Sequence, residues 1–150
     1  MTSREPHAEG LLNDPFPYVA KRLVAGQLVC VLRAASEDRG MQLEVFPSRA
    51  VQQGEVHELA VIDDPAIGRG QTVSKISYLG FVEITQGSVV LAGDLVEIDG
   101  QKVGQVVGFD LTHFPNHMGI IIRVAKSFTG EELGLKIGQP VAFRFAGRPG

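Results

Sequence analysis

The tightest constraint in this chain is a dipeptide. Asp99-Gly100 stands between Leu95-Val96-Glu97-Ile98 and Gln101-Lys102-Val103, two β-prone segments. A two-residue type I′ turn needs positive φ at both central residues, and Asp-Gly is among the pairs that supply it. The segment therefore predicts a β-hairpin. Gly104 and Gly108 follow within its second strand, where a missing side chain marks a bulge or the tight coiling of a small barrel.

Short apolar runs separated by Gly, Pro, Asp and Asn recur along the rest of the chain at strand-like spacing. They predict strands over residues 29–34, 41–46, 56–62, 73–84, 94–98, 102–109, 119–124 and 141–145, the run 73–84 being either two strands or one bent at Gly80. Helix is scarce. Residues 48–54 have room for a turn or two. Thr129 and Glu132 have the spacing of a capping box, so a short helix should start there and stop at Gly134 or Gly138. The fold class expected is mainly β, a small antiparallel β-barrel or sandwich with one or two short helical turns.

Residues 1–17 are polar and carry Pro6, Pro15 and Pro17, so they read as a mobile N-terminal arm, with His7 solvated within it. Residues 18–150 read as one domain. A chain of 150 residues buries roughly two-thirds of its unfolded surface and needs no disulfide or metal to hold it.

Charge narrows the partners. The formal net charge is −3 and the longest basic cluster is Lys21-Arg22, far from the patch that a phosphate backbone demands. Nucleic acid is not an expected partner. Cys30 is the single cysteine, which removes an intramolecular disulfide or a Cys-based zinc site. Set in the apolar run Leu28-Val29-Cys30-Val31-Leu32, it reads as a small buried hydrophobe. No apolar stretch approaches the ~18 residues of a membrane span, and the first residues lack a signal-peptide core. The expectation is a cytoplasmic protein with no membrane partner, a small molecule as ligand, and self-association left open.

The residues with most chemistry lie in 108–118, Gly108-Phe109-Asp110-Leu111-Thr112-His113-Phe114-Pro115-Asn116-His117-Met118. Two histidines, an Asp, an Asn and a Thr are packed into one connection between strands, where binding groups commonly sit. Pro115 blocks a regular helix, so only a tight loop would bring His113 and His117 together. Three readings stand side by side. Asp110, His113 and His117 could ligate a divalent metal such as Zn or Fe, since imidazole and carboxylate suit such cations. One histidine could serve as general acid–base or anion anchor, with Asp110 fixing its tautomer and Asn116 and Thr112 contacting a ligand. Or the loop is structural, its polar side chains bonding backbone amides.

Elsewhere the signals are thinner. Gly68-Arg69-Gly70 could curl backbone amides around an anion with Arg69 as counter-charge, but it lacks the ending of a P-loop and reads equally as a surface turn. Asp63 and Asp64 read as a solvated pair leading into a proline turn. His57 opens a predicted strand, either as an ordinary strand histidine or as a site residue facing residues 110–117. Phe143 and Phe145 read as core.

The C-terminal half resembles the IIA component of the sorbitol (glucitol) phosphotransferase system. The likeness is carried by Ala92-Gly93-Asp94-Leu95-Val96-Glu97-Ile98-Asp99-Gly100, Val106-Val107-Gly108, Gly119-Ile120-Ile121-Ile122-Arg123 and Ile137-Gly138-Gln139-Pro140-Val141-Ala142-Phe143-Arg144-Phe145. It implies a small all-β barrel and, as an activity, a phosphocarrier with His57 or His113 as acceptor. This chain has Gly119-Ile120 where that family typically has Gly-His. The functions left open are a small-molecule-binding barrel with histidine-dependent acid–base or metal-assisted chemistry, a phosphocarrier, and a non-catalytic accessory protein.

Overall fold

The computed structural model describes residues 21–146, so the expected arm at residues 1–17, with His7, lies outside the described residues. In chain order the elements are β1 (Val24–Val31), β2 (Ala35–Ser36), β3 (Met41–Gln42), β4 (Ser48–Val51), β5 (Val56–Ile62), β6 (Thr72–Val73), β7 (Ile76–Gln86), β8 (Ser88–Leu91), β9 (Leu95–Ile98), β10 (Gln101–Asp110), β11 (Gly119–Arg123), helix α1 (Gly130–Leu133) and β12 (Pro140–Arg144). The fold is mainly β.

The hairpin forms as its sequence demands. Asp99 has φ 53° and Gly100 φ 77°, and Ile98 lies opposite Gln101 across β9 and β10. The register of β10 slips twice, between Lys102 and Gly104 against β9 and between Val106 and Gly108 against β11. At Gly104 a Cβ would collide with the carbonyl oxygen of Arg123, so the strands close up only because the side chain is missing.

The main sheet runs β1-β12-β9-β10-β11-β5-β7-β2, and β7 also pairs with β1, so seven of its eight strands, all but β2, form a closed ring. The pairing of β5 with β11 is parallel. Leu28, Leu59, Leu79, Val82, Val96, Phe109, Ile120 and Phe143 are fully buried in one core cluster. A second cluster, Met41, Leu43, Ala60, Ile62, Val73, Ile76, Val107 and Ile121, packs the opposite face of β5 and β11 beneath the β3–β6 pair. Two-sided burial explains why Leu59-Ala60-Val61-Ile62 and Ile120-Ile121-Ile122 are unbroken apolar runs.

Four expectations are corrected. Residues 48–54 do not form a helical turn at their start: β4 pairs with β8 from Ser48 opposite Leu91 to Val51 opposite Ser88, and the strand ladder takes the hydrogen bonds a helix would have used. Of residues 41–46 only β3 is strand. Past it the backbone bonds non-ladder partners, Leu43 N–H donating to the Gln71 carbonyl and Glu44 N–H to that of Phe109. The run 73–84 divides between β6 and β7, and β7 continues through Gly80, where its register against β5 shifts. Helix α1 has both halves of the capping box between Thr129 and Glu132, with Gly134 left-handed at its end. Cys30 is partly exposed rather than buried. Phe143 is core, whereas Phe145 is half-buried. No helix among the described residues is long and apolar enough to cross a membrane.

Candidate functional site

β10 ends at Asp110 and β11 opens at Gly119, which makes residues 111–118 the connection between antiparallel neighbours. Turn bonds shape it: Phe114 N–H donates to the Leu111 carbonyl at 3.1 Å and Asn116 N–H to that of His113 at 3.0 Å. Asp110 is buried, 4% exposed. Its Oδ1 accepts from Thr112 N–H at 3.1 Å and from Thr112 Oγ1 at 2.5 Å. Its Oδ2 lies 3.9 Å from Arg39 Nη2, while Arg39 Nε donates to Tyr78 Oη at 3.2 Å.

The parallel pairing brings in a residue the sequence did not single out. Glu58 on β5 is opposite Gly119, and Asp110 on β10 is opposite the same glycine from the other side. A Cβ on Gly119 would stand 3.3 Å from Asp110 Cβ and 3.6 Å from Oδ2, so the buried glycine lets the Asp110 side chain lie close against β11. Among the described residues no hydrogen bond or ion pair engages the Glu58 carboxyl. Burial pushes its pKa up; the Asp110 charge adds to this, and His113 and Arg39 oppose it.

His113 and His117 converge, their ring centroids 5.1 Å apart and tilted by 31°. His117 also meets the Phe81 ring edge-on at 5.2 Å, and Phe81 is the partner of Glu58 on β7. His117 Nδ1 donates to Asn116 Oδ1 at 2.8 Å, which leaves Nε2 to accept. Burial lowers the His117 pKa, and the neighbouring His113 and His57 lower it further against the pull of Asp110. His113 is exposed.

His57 stands apart. It is buried, its Nδ1 accepts from Met118 N–H at 3.1 Å and its Nε2 lies 2.8 Å from Glu55 Oε1, so the ring is held as the Nε2–H tautomer. Strand alternation turns it to the face opposite Glu58. It fastens the end of the loop from within. Arg69 is likewise committed: Nη1 donates to the Val45 carbonyl at 2.7 Å and ties residues 63–71 to the layer over the barrel wall. Asp63 accepts from Ser127 N–H, far along the chain, and Asp64 from Ala66 N–H within its own turn.

The expected three-ligand metal site is not met. Among the described residues no group of three or more His, Cys, Asp and Glu side chains is placed to hold a metal ion. The cause is local: Asp110 is turned to Thr112 and Arg39, and His117 to Asn116. A surface cavity of about 580 Å³, lined by Asp63, Lys102, Gln105 and Arg123 among others, shares no residue with the histidine loop.

Arg39, Tyr78 and Phe81 were missed along with Glu58. The one signal in the sequence was Glu58 itself, a charge on the strand face that otherwise carries Ala60 and Ile62. Together these features define a mainly β protein, its strands closed in a ring, with a cluster of ionisable side chains on the outer wall. The chain belongs to a family of unknown function, DUF6917, whose model matches residues 18–144. No curated protein and no solved structure matches it.

Proposed function

We propose that this is a small-molecule-binding β-barrel domain whose ligand rests against the side chains clustered around Gly119, with acid–base groups at hand. The observation that carries the reading is the convergence of Glu58 and Asp110 on either side of one glycine, beneath His113 and His117. The two carboxyls differ in setting, and unlike settings suit unlike roles. Asp110, bonded by Thr112 and faced by Arg39, is suited to hold the frame. Glu58, with its raised pKa and no bonded partner among the described residues, is suited to exchange a proton with a ligand. Exposed His113 can approach the same ligand from the rim.

Titrating a panel of small polar metabolites into the ¹⁵N-labelled protein tests this. The expected result is shifts of the residue 110–119 amides and of Glu58, abolished by His113→Gln together with Glu58→Gln. Ligands that shift only distant resonances would overturn it. The phosphocarrier reading narrows to His113, because that ring is exposed while both nitrogens of His57 are engaged. Mass spectrometry after incubation with a phosphohistidine donor decides it: a phosphoryl group on His113 supports it, and an unmodified chain removes it.

A further inference from the structure

Resting on that reading of the site, we propose that its ligand class is a small oxyanion, anchored by Arg39 and taken up together with one proton on Glu58. What a ligand meets from solvent differs from the bare count of acids. Asp110 lies behind, 4% exposed, its Oδ1 taken by Thr112 and its Oδ2 facing Arg39. Arg39 stays partly accessible, and among the described residues only its side-chain Nε is hydrogen-bonded, to Tyr78. The Asp110 contact at 3.9 Å is too long for a hydrogen bond, so the terminal N–H groups remain available as a fork for carboxylate or phosphate oxygens.

Glu58 then decides whether an anion is tolerated. The charged and titratable groups around it are Asp110 from β10, His113 and His117 from the loop, Arg39 from the segment before β3 and Tyr78 from β7, while β11 contributes only Gly119. As a carboxylate beside Asp110, Glu58 repels an incoming anion. As a carboxylic acid it becomes a hydrogen-bond donor to an anion held on Arg39. Binding is therefore coupled to protonation: carboxylate, proton and anion combine to a carboxylic acid hydrogen-bonded to the bound anion. The raised pKa of Glu58 works in the same direction, since burial has already favoured the protonated form.

The test uses the full chain and three probes, acetate, inorganic phosphate and propylammonium, followed by NMR shifts at residues 110–119. Acetate, fully ionised above pH 6, should weaken as pH rises, approaching about tenfold per unit where one proton is taken up with it. Glu58→Gln keeps a donor that cannot titrate, so it should lose this slope. Arg39→Gln, checked for folding by circular dichroism, should weaken acetate by about tenfold or more. Phosphate against acetate at pH 6 tells which oxyanion fits. Shifts from propylammonium but not from acetate or phosphate would overturn the ligand class and leave the site standing. An unchanged slope in Glu58→Gln would overturn the proton coupling, and silence from both anions would overturn the proposal outright. The metabolite titration separately judges the site.

Discussion

Glu58 and Asp110 flank Gly119 as its register partners, one across a parallel pairing and the other across an antiparallel one. Neither is near the other in sequence, and the residue between them has no side chain to keep them apart.

Filling that space is the most direct perturbation. A methyl group at residue 119 would press on Asp110 at 3.3 Å, so Gly119→Ala should cost about 1–3 kcal/mol by overpacking. It should also weaken binding of any ligand seated there by more than the change in stability explains. Denaturant titration and ligand titration on the same variant separate the two effects, and full ligand affinity in Gly119→Ala would place the ligand elsewhere.

Glu58 fixes the sign of a pH effect. Its pKa is raised in the folded chain, so the folded state holds its proton more tightly than the unfolded state does. The stability linked to it is fully present below the unfolded value and is lost as pH rises through the folded value. At neutral pH, Glu58→Gln should therefore be more stable than the parent, with the advantage shrinking as pH falls. His117 has the opposite sense: its lowered pKa gives stability present above the ordinary histidine value and lost as pH drops through the folded one. Thermal melts of Glu58→Gln and of His117→Gln across pH 4 to 8 check the two signs.

The histidines should separate cleanly by stability. His57→Leu leaves the buried Met118 N–H without its 3.1 Å acceptor and should cost about 1–3 kcal/mol. His113 is exposed, so His113→Gln should change stability by less than about 1 kcal/mol. Equal destabilisation in the two variants would mean that the loop is built from its histidines and has no binding role.

The hairpin supplies a control remote from the cluster. Gly100 has φ 77°, and a β-branched residue there should cost about 1–3 kcal/mol. Gly100→Val should lower the denaturation midpoint and leave Glu58 titrating as before.

Legibility followed the range of each interaction. The Asp99-Gly100 turn, the Thr129–Glu132 box and the slips beside Gly104 and Gly108 are local, and residue types state them directly. The histidine loop was legible as a dense polar connection. Its floor was not, because Glu58 and Arg39 reach it through pairings and layers whose partners lie far along the chain. β4 was missed since its four residues carry no apolar run, and β8, distant in sequence, supplies its ladder.

The ring itself implies something about when the cluster can exist. Chain direction reverses at each antiparallel junction, so a loop of strands returns to its starting direction only if the reversals are even in number. With seven strands in the circle an all-antiparallel closure is forbidden by parity, and β5–β11 is the junction that resolves it. That junction cannot be made by a tight turn, and the chain must first lay down β7, β9 and β10 before β11 can settle beside β5. Glu58 and the histidine loop therefore meet only when that parallel junction forms, and the charge cluster serves as a reporter of its pairing.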